Sequence, residues 1–462
     1  MRRANTLSPA AMDRKDAVQR IFKAMFALEE ARQILRETVA EELDDELRGR
    51  LEEIFDGVCE ILKGVRREHL KYVVDRIELR TREEEFINID PIQAGGRLTP
   101  EARKVLIAYG DGYSICDYCL APHRLDYIKR PPVAEFLEEL AEFLNMDVVR
   151  VVRGARDGFR IVTNALLEKG DVVLVSALAH YSLCLAIEAA GGVWREVPLT
   201  DGKITGEAVA SKIEEVKKET GRLPKLVAIE HFDYVFGNEH DVKGVAKVCR
   251  EYGIPFLYNG AYSVGVMPVD GKDIGADFVV GSGHKSMAAP APTGVLATTE
   301  EWASVIFKTA EGRGDVTGRG FGAKESYLLG CTVMGAPLVA MMASFPHVRE
   351  RVKKWNEEVQ KSNFFVSELL KIEGTEVLSE LPRRHTLSAF NTERSFDVVA
   401  RTHKRRGFFL HDELRRRKIT GLTPGMTKEL KLNVYGLTWE QVKYVAEAFK
   451  EIAERYGLSV SD

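Results

Sequence analysis

The stretch Asp277-Phe278-Val279-Val280-Gly281-Ser282-Gly283-His284-Lys285-Ser286 decides how the rest of the chain is read. An apolar strand runs into a glycine-serine turn, and a lysine follows directly after a histidine. A lysine amine condenses with an aldehyde only when it is held close and can lose its proton, and a short rigid loop at a strand end provides both. The pattern points to Lys285 as a pyridoxal phosphate anchor, with Ser282 and His284 beside the cofactor. Taken alone, the stretch also fits a surface turn with a solvated lysine.

Neighbouring segments converge on the first reading. In Val151-Val152-Arg153-Gly154-Ala155-Arg156-Asp157-Gly158 a strand turns through glycine into a helix. Free N–H groups at such a helix start, together with the positive end of its dipole, hold a phosphate. Ala155 and Arg156 are the expected contacts, Arg156 adding charge-assisted hydrogen bonds. After Asp171-Val172-Val173-Leu174-Val175 comes Ser176-Ala177-Leu178-Ala179-His180-Tyr181, which brings an imidazole to the same sheet edge. There His180 can stack on a pyridine ring or simply cap a loop. The strand Ile254-Pro255-Phe256-Leu257-Tyr258 ends at Asn259, where cofactor enzymes of this topology carry an aspartate on the pyridine nitrogen. An amide donates a hydrogen bond without stabilising a pyridinium charge, so the ring becomes a weaker electron sink suited to rapid β-elimination.

The rhythm from Val148 onward is that of an α/β domain with a mostly parallel sheet. Seven strands are expected at Val148–Val152, Val172–Val175, Val193–Val197, Leu226–Ile229, Pro255–Tyr258, Phe278–Val280 and Thr293–Ala297. Helices fill the gaps, for example Phe159–Glu168 and Val242–Tyr252. One long helical run from Pro337 through Leu370 leads into a smaller C-terminal α+β domain. Upstream, Ile21, Met25, Leu28, Ile34, Leu51, Ile54, Val58 and Ile61 recur at helical spacing, so Asp16 to Arg82 reads as two or three charged helices. The expected domains are a helical extension over 1–82, a large cofactor domain over 83–345 and a small domain over 346–462.

With 462 residues, 45% hydrophobic and 29% charged, the composition is that of a globular protein. No apolar stretch approaches the roughly 20 residues that span a bilayer, and Met1-Arg2-Arg3-Ala4-Asn5 opens no signal core, so a cytoplasmic protein without a membrane is expected. A net charge of -4 argues against a positive coat overall. The clusters His403-Lys404-Arg405-Arg406 and Arg415-Arg416-Arg417-Lys418 could still track a nucleic acid backbone, or be solvated helix faces. Six cysteines do not make a disulfide framework in a chain of this length. Cys59, Cys184 and Cys249 lie among apolar neighbours and read as small buried thiols. Cys116-Asp117-Tyr118-Cys119 would suit zinc only with further ligands, and no second paired motif accompanies it.

Together, the segments Phe86-Ile87-Asn88-Ile89-Asp90-Pro91-Ile92-Gln93-Ala94-Gly95-Gly96-Arg97-Leu98, Gly110-Asp111-Gly112-Tyr113-Ser114-Ile115-Cys116-Asp117-Tyr118-Cys119, the Lys285 run and Leu328-Leu329-Gly330-Cys331-Thr332 resemble the archaeal O-phosphoseryl-tRNA:cysteinyl-tRNA synthase family from about Glu84 to the end. The resemblance implies a pyridoxal phosphate enzyme of fold type I that replaces the phosphate of tRNA(Cys)-bound phosphoserine with sulfur. It implies that Lys285 binds the cofactor and removes the α-proton, and that Cys116, Cys119 and Cys331 are the functional cysteines, carrying an iron–sulfur cluster or a persulfide. It further implies a homodimer, tRNA(Cys), the phosphoseryl-tRNA synthetase and an adaptor as partners. His231 and Asn238 are secondary site candidates on the same ground. The chain departs from the family at Thr332-Val333-Met334-Gly335 and at Ala289-Pro290-Ala291-Pro292, and its N-terminal helices exceed the family's usual length. A cysteine desulfurase acting on free cysteine and a non-catalytic tRNA-binding scaffold are the competing functions.

Overall fold

The computed structural model describes residues 14–38, 43–63, 85–92, 94–109, 114–115, 132–329 and 333–461. It divides into two compact units, residues 1–87 and 88–462. The first unit contains helices α1 (Arg14–Glu37) and α2 (Asp45–Leu62). Asp44 starts α2 by accepting the Leu47 N–H at 2.8 Å, and Arg20 of α1 donates to the carbonyls of Ile61 and Lys63 at its far end. Ala24, Ala31, Leu51 and Val58 are the buried stripe of the pair. Cys59, expected to be buried, is exposed. It follows Val58 by one residue, and a step of about 100° around the helix turns it away from the face that Val58 buries.

The second unit is built on a seven-stranded sheet. Its strands are β1 (Val148–Val152), β2 (Val172–Ser176), β3 (Val193–Val197), β4 (Leu226–Glu230), β5 (Phe256–Asn259), β6 (Phe278–Ser282) and β7 (Gly294–Thr298). They lie in the order β1-β7-β6-β5-β4-β2-β3, and only β7 runs antiparallel to its neighbours. The inner strands are apolar throughout because both faces are covered. Leu226, Ala228, Leu257, Phe278 and Val280 pack on Phe159 and Val162 of helix α3 (Ala155–Leu166) and on Leu183 and Ile187 of helix α4 (Tyr181–Ala189). Val227, Ile229, Phe256, Tyr258 and Val279 pack the opposite way, onto a core with Val245 and Cys249 of helix α5 (Val242–Tyr252). This alternation fixes which strand-end side chains share a face.

The run expected as one helix from Pro337 to Leu370 is broken. Helix α6 (Gly335–Arg351) ends in a 3-10 turn, Val352–Lys354, before helix α7 (Trp355–Leu370). Leu338, Met341, Phe345 and Val348 of α6 join the core of the large sheet. Trp355 begins a second packing job, against Phe232, His385 and Tyr435 with ring centroids 6.5, 5.5 and 6.5 Å away. One straight axis cannot serve both sets of contacts. Beyond α7 come a three-stranded antiparallel sheet of Glu376–Val377, Leu387–Asn391 and Glu429–Asn433 and a helix Trp439–Arg455, and Phe365 of α7 meets Phe390 of the sheet and Phe449 of the helix, each with ring centroids 6.3 Å away. No described helix is long and apolar enough to cross a membrane.

Candidate active site

The C-terminal ends of β4, β5 and β6 open into a cavity of about 330 Å³. Glu230, Asn259 and Ser282 are the last residues of these three strands, in phase with the apolar residues that face α3 and α4. All three line the cavity, together with Ala155 and Arg156 from the start of α3, His180 from the start of α4, and His284 and Lys285 from the turn after β6. Every cofactor-contact residue expected from the sequence therefore lies in one wall, brought there from segments up to 130 residues apart (285 less 155).

Lys285 sits in a short helical turn, Gly283–Ser286, whose position is tightly held. The Gly283 N–H donates to the Thr293 carbonyl at 2.8 Å, and the Ser286 hydroxyl donates to the Ser282 carbonyl at 2.8 Å. The segment containing Gly95 and Gly96 lies directly behind. A Cβ on Gly96 would collide with the His284 carbonyl oxygen, and one on Gly95 would meet the Lys285 carbonyl oxygen at 3.0 Å. The paired glycines of the quoted motif thus let that segment press against the lysine turn. Arg351, at the end of α6, closes the support by donating to the carbonyls of Gly95, Gly265 and Ser286.

The Lys285 ammonium lies 4.7 Å from the ring centroid of Tyr262. Burial, and next the positive charge of Lys431, push its amine down to about 8. A lysine in this state yields a neutral, nucleophilic amine close to neutral pH. Burial raises the Tyr262 phenol, which stays protonated. His284 is held below the usual imidazole range by burial, and the charges of Lys285 and Arg156 add to the effect.

Helix α3 begins at Gly154, which has φ +92° and provides no side-chain cap, so the first turn keeps donors for a ligand. Its acid, Asp157, is engaged by Arg160 at 2.9 Å and Arg153 at 3.6 Å. His180 both caps and lines. Its Nδ1 meets the Ser182 hydroxyl at 2.8 Å and accepts the Ser182 N–H, while its ring packs at 4.3 Å from Tyr181 and edge-on to Tyr234 at 5.1 Å. Burial lowers its pKa.

Glu230, Tyr234 and Tyr262 are lining residues that sequence reasoning did not assign. The available signal for Glu230 was its phase, an acid ending an apolar strand in step with Asn259 and Ser282. His231 and Asn238 are not in the cavity wall. His231 bonds the buried Tyr258 hydroxyl at 2.7 Å and faces Glu239 at 3.4 Å, and Asn238 accepts the Glu380 N–H at 2.8 Å. Both hold the loop after β4 in place. Of the apolar thiols, Cys249 is buried and pushed up to about 12, and Cys184 is half-buried. Cys116, Cys119 and Cys331 lie outside the described residues. The described backbone nearest to them forms a short antiparallel pair, with Ile115 opposite Val333 and Ser114 opposite Met334.

Comparison with known proteins places this chain in a family. A relative from Methanococcoides burtonii named O-phospho-L-seryl-tRNA:Cys-tRNA synthase 1 is 56% identical over 456 residues, 97% of this chain and 99% of the relative. The chain belongs to the O-phospho-L-seryl-tRNA:Cys-tRNA synthase family. A family model described as O-phosphoseryl-tRNA(Sec) selenium transferase also matches residues 160–454. Another synthase of the family, from Methanoculleus marisnigri, is 57% identical over 392 residues, 85% of this chain and 100% of its own length. Nearly the full length of this chain, extension included, is thus shared by the M. burtonii synthase, while the shorter one is about the size of the second compact unit. A crystal structure of a SepCysS-SepCysE N-terminal domain complex matches with TM-score 0.74 and 45% identity, covering 85% of this chain and 100% of that one. The apo cysteine desulfurase of Thermococcus onnurineus NA1 matches with TM-score 0.60 at 17% identity over 81% of this chain and 96% of that one, a likeness of fold alone.

Proposed function

We propose that this chain is a pyridoxal phosphate enzyme that converts O-phosphoseryl-tRNA(Cys) to cysteinyl-tRNA(Cys) in the cytoplasm. The observation that carries the reading is a lysine with a lowered pKa in a cavity whose other side is an uncapped helix start, within a chain 56% identical to a synthase of that name. The wall fits the cofactor. Ala155 and Arg156 would hold its phosphate, Lys285 its aldehyde and His180 the face of its ring, while the buried carboxyl of Glu230 has no hydrogen-bond partner of its own. When bound, pyridoxal phosphate supplies an electron sink for the substrate's α-carbon.

The Lys285 amine takes the α-proton, which its position and lowered pKa permit near neutral pH. Tyr262 packs beside the Lys285 amine, and the Gly283–Ser286 turn holds that amine in the cavity wall. In the net reaction the β-carbon loses its bond to phosphate and gains one to sulfur, with sulfide consumed and phosphate released. No oxidant or reductant is required when the sulfur arrives as sulfide. A sulfur relay or an iron–sulfur cluster at Cys116, Cys119 and Cys331 belongs to the same reading, supported by the antiparallel pairing of Ser114–Ile115, which directly precede Cys116 in sequence, with Val333–Met334, which begin two residues after Cys331; sulfur carried as a persulfide would take its two electrons from a second cysteine thiol, leaving a disulfide.

A homodimer is part of the proposal, as is tRNA docking by the small domain. Here the basic clusters are partly committed. Arg416 and Arg417 ion-pair with Glu413 at 2.5 and 2.9 Å, and Arg405 with Asp412 at 2.9 Å. The helices of the first unit are proposed to receive the phosphoseryl-tRNA synthetase or an adaptor. If removing residues 1–80 leaves complex formation and transfer from that synthetase unchanged, this part fails. The central experiment incubates the chain with phosphoseryl-tRNA(Cys), pyridoxal phosphate and sulfide. Cysteinyl-tRNA is the expected product; reaction of free amino acids alone, such as alanine from cysteine, would favour a desulfurase instead.

A further inference from the structure

Glu230 is 4% exposed, and both of its carboxylate oxygens are buried without a hydrogen-bond partner. It is the one acidic side chain in the cavity wall among the described residues, where Arg153, Arg156 and Lys285 are the cationic ones. A buried carboxylate without a donor is costly, and structures keep one where a ligand completes it. Behind it stands His240, whose Nδ1 accepts the Ile204 N–H at 3.3 Å. That bond assigns the proton to Nε2, which faces Glu230 Oε1 at 3.6 Å, a distance that orients the carboxylate without satisfying it.

The register of the sheet places Glu230 directly beside Asn259. Asn259 Oδ1 already accepts the Ala261 N–H at 3.2 Å, whereas its amide hydrogens are wholly unspent and are what it chiefly offers a ligand. Those hydrogens favour an unprotonated ring nitrogen. The neighbouring carboxylate favours a protonated one, and a hydrogen bond to an ion outweighs one between neutral groups. We infer that Glu230, rather than Asn259, acts on the ring nitrogen of the cofactor and keeps it protonated, with His240 as the positioning residue behind. This rests on the cofactor reading above. It reverses the expectation, drawn from Asn259 alone, of a weak electron sink.

The experiment compares binding of pyridoxal phosphate and its 1-deaza analogue, in which C–H replaces the ring nitrogen, to the full apo chain by visible absorbance. Wild type is expected to prefer the natural ring by about tenfold or more. Glu230→Gln should lose most of that preference, and Asn259→Ala should keep it. With ring-15N-labelled cofactor, the wild-type resonance should lie at the pyridinium position and move toward the neutral position in Glu230→Gln. Preference retained in Glu230→Gln would overturn the inference. Should that variant fail to fold, the wild-type resonance still decides, since a neutral ring nitrogen there overturns it, and Glu230→Asp is expected to preserve the pyridinium signal. Absence of any absorbance band dependent on Lys285 would instead overturn the cofactor reading itself.

Discussion

Two buried glutamates in this molecule have opposite surroundings. Near the C-terminal end of the second unit, Glu413 is 1% exposed and is met by Arg416, Arg417, Arg455 and the Tyr456 hydroxyl at 2.5, 2.9, 3.2 and 3.1 Å. Burial alone would raise its carboxyl, yet the bonds from Arg417 and Tyr456 and the neighbouring arginine charges leave it below the usual range. At the cavity, Glu230 has His240 at 3.6 Å and no hydrogen bond. The lysines divide in the same way. Lys361 is buried with Glu358 and the Leu437 carbonyl each at 2.6 Å, whereas burial of Lys285 is answered by no carboxylate among the described residues. The charges with partners tie local structure together, and the charges without partners gather at the cavity.

The comparison breaks most visibly at Lys285. Lys285→Ala is expected to abolish the visible band of the bound cofactor and to lower cysteinyl-tRNA formation by about a thousandfold or more, while the thermal midpoint of the apo chain stays near that of wild type. Glu413→Ala should do the reverse. Losing the shared acid takes the common partner from Arg416, Arg417 and Arg455, leaves Arg417 only Glu451 at 3.2 Å, and should cost about 3 kcal/mol in urea unfolding, with cofactor binding by the folded fraction unchanged.

A subtler test uses pH. The neutral amine captures the aldehyde, so the rate of cofactor uptake should rise with pH and level off above about 8, the value to which burial pushes Lys285. Between that pH and 10.5 the unfolded chain holds a proton that the folded one has lost, so the same lysine should make the apo chain more stable as pH rises through this window. The smallest effect is expected from Lys431→Met. Lys431 bonds the Tyr234 carbonyl at 2.6 Å and lowers the Lys285 pKa through its charge. Its loss should move the uptake midpoint upward and slow uptake at neutral pH by less than the tenfold of one full unit. An unchanged midpoint would show that burial alone sets the lysine.

All seven strands of the large sheet were legible because each except the edge strand β3, which carries Arg195 and Glu196, is a mainly apolar run bounded by turn residues. Val148–Val152 and Val193–Val197 fall where expected, while the ends of the other five lie one or two residues further on, and that margin concealed the most informative acid. A strand stopped at Ile229 leaves Glu230 in a loop, whereas pairing with Asn259 continues the ladder one residue further. The single helix expected across Pro337–Leu370 failed for a related reason, since its periodicity is continuous while the partners it packs against change at Val352–Lys354.

By itself the sequence determined the sheet, the lysine turn and the uncapped helix start at Gly154, because each depends on local pattern: strand apolarity, glycine at a turn, a helix entered without a cap. Only the tertiary structure decided which charges find partners. Whether Glu413 is neutralised and Glu230 is not depends on side chains from distant segments meeting or failing to meet, and no local pattern carries that information. The sequence could name the lysine; the packing around it isolates the charge and lowers its pKa.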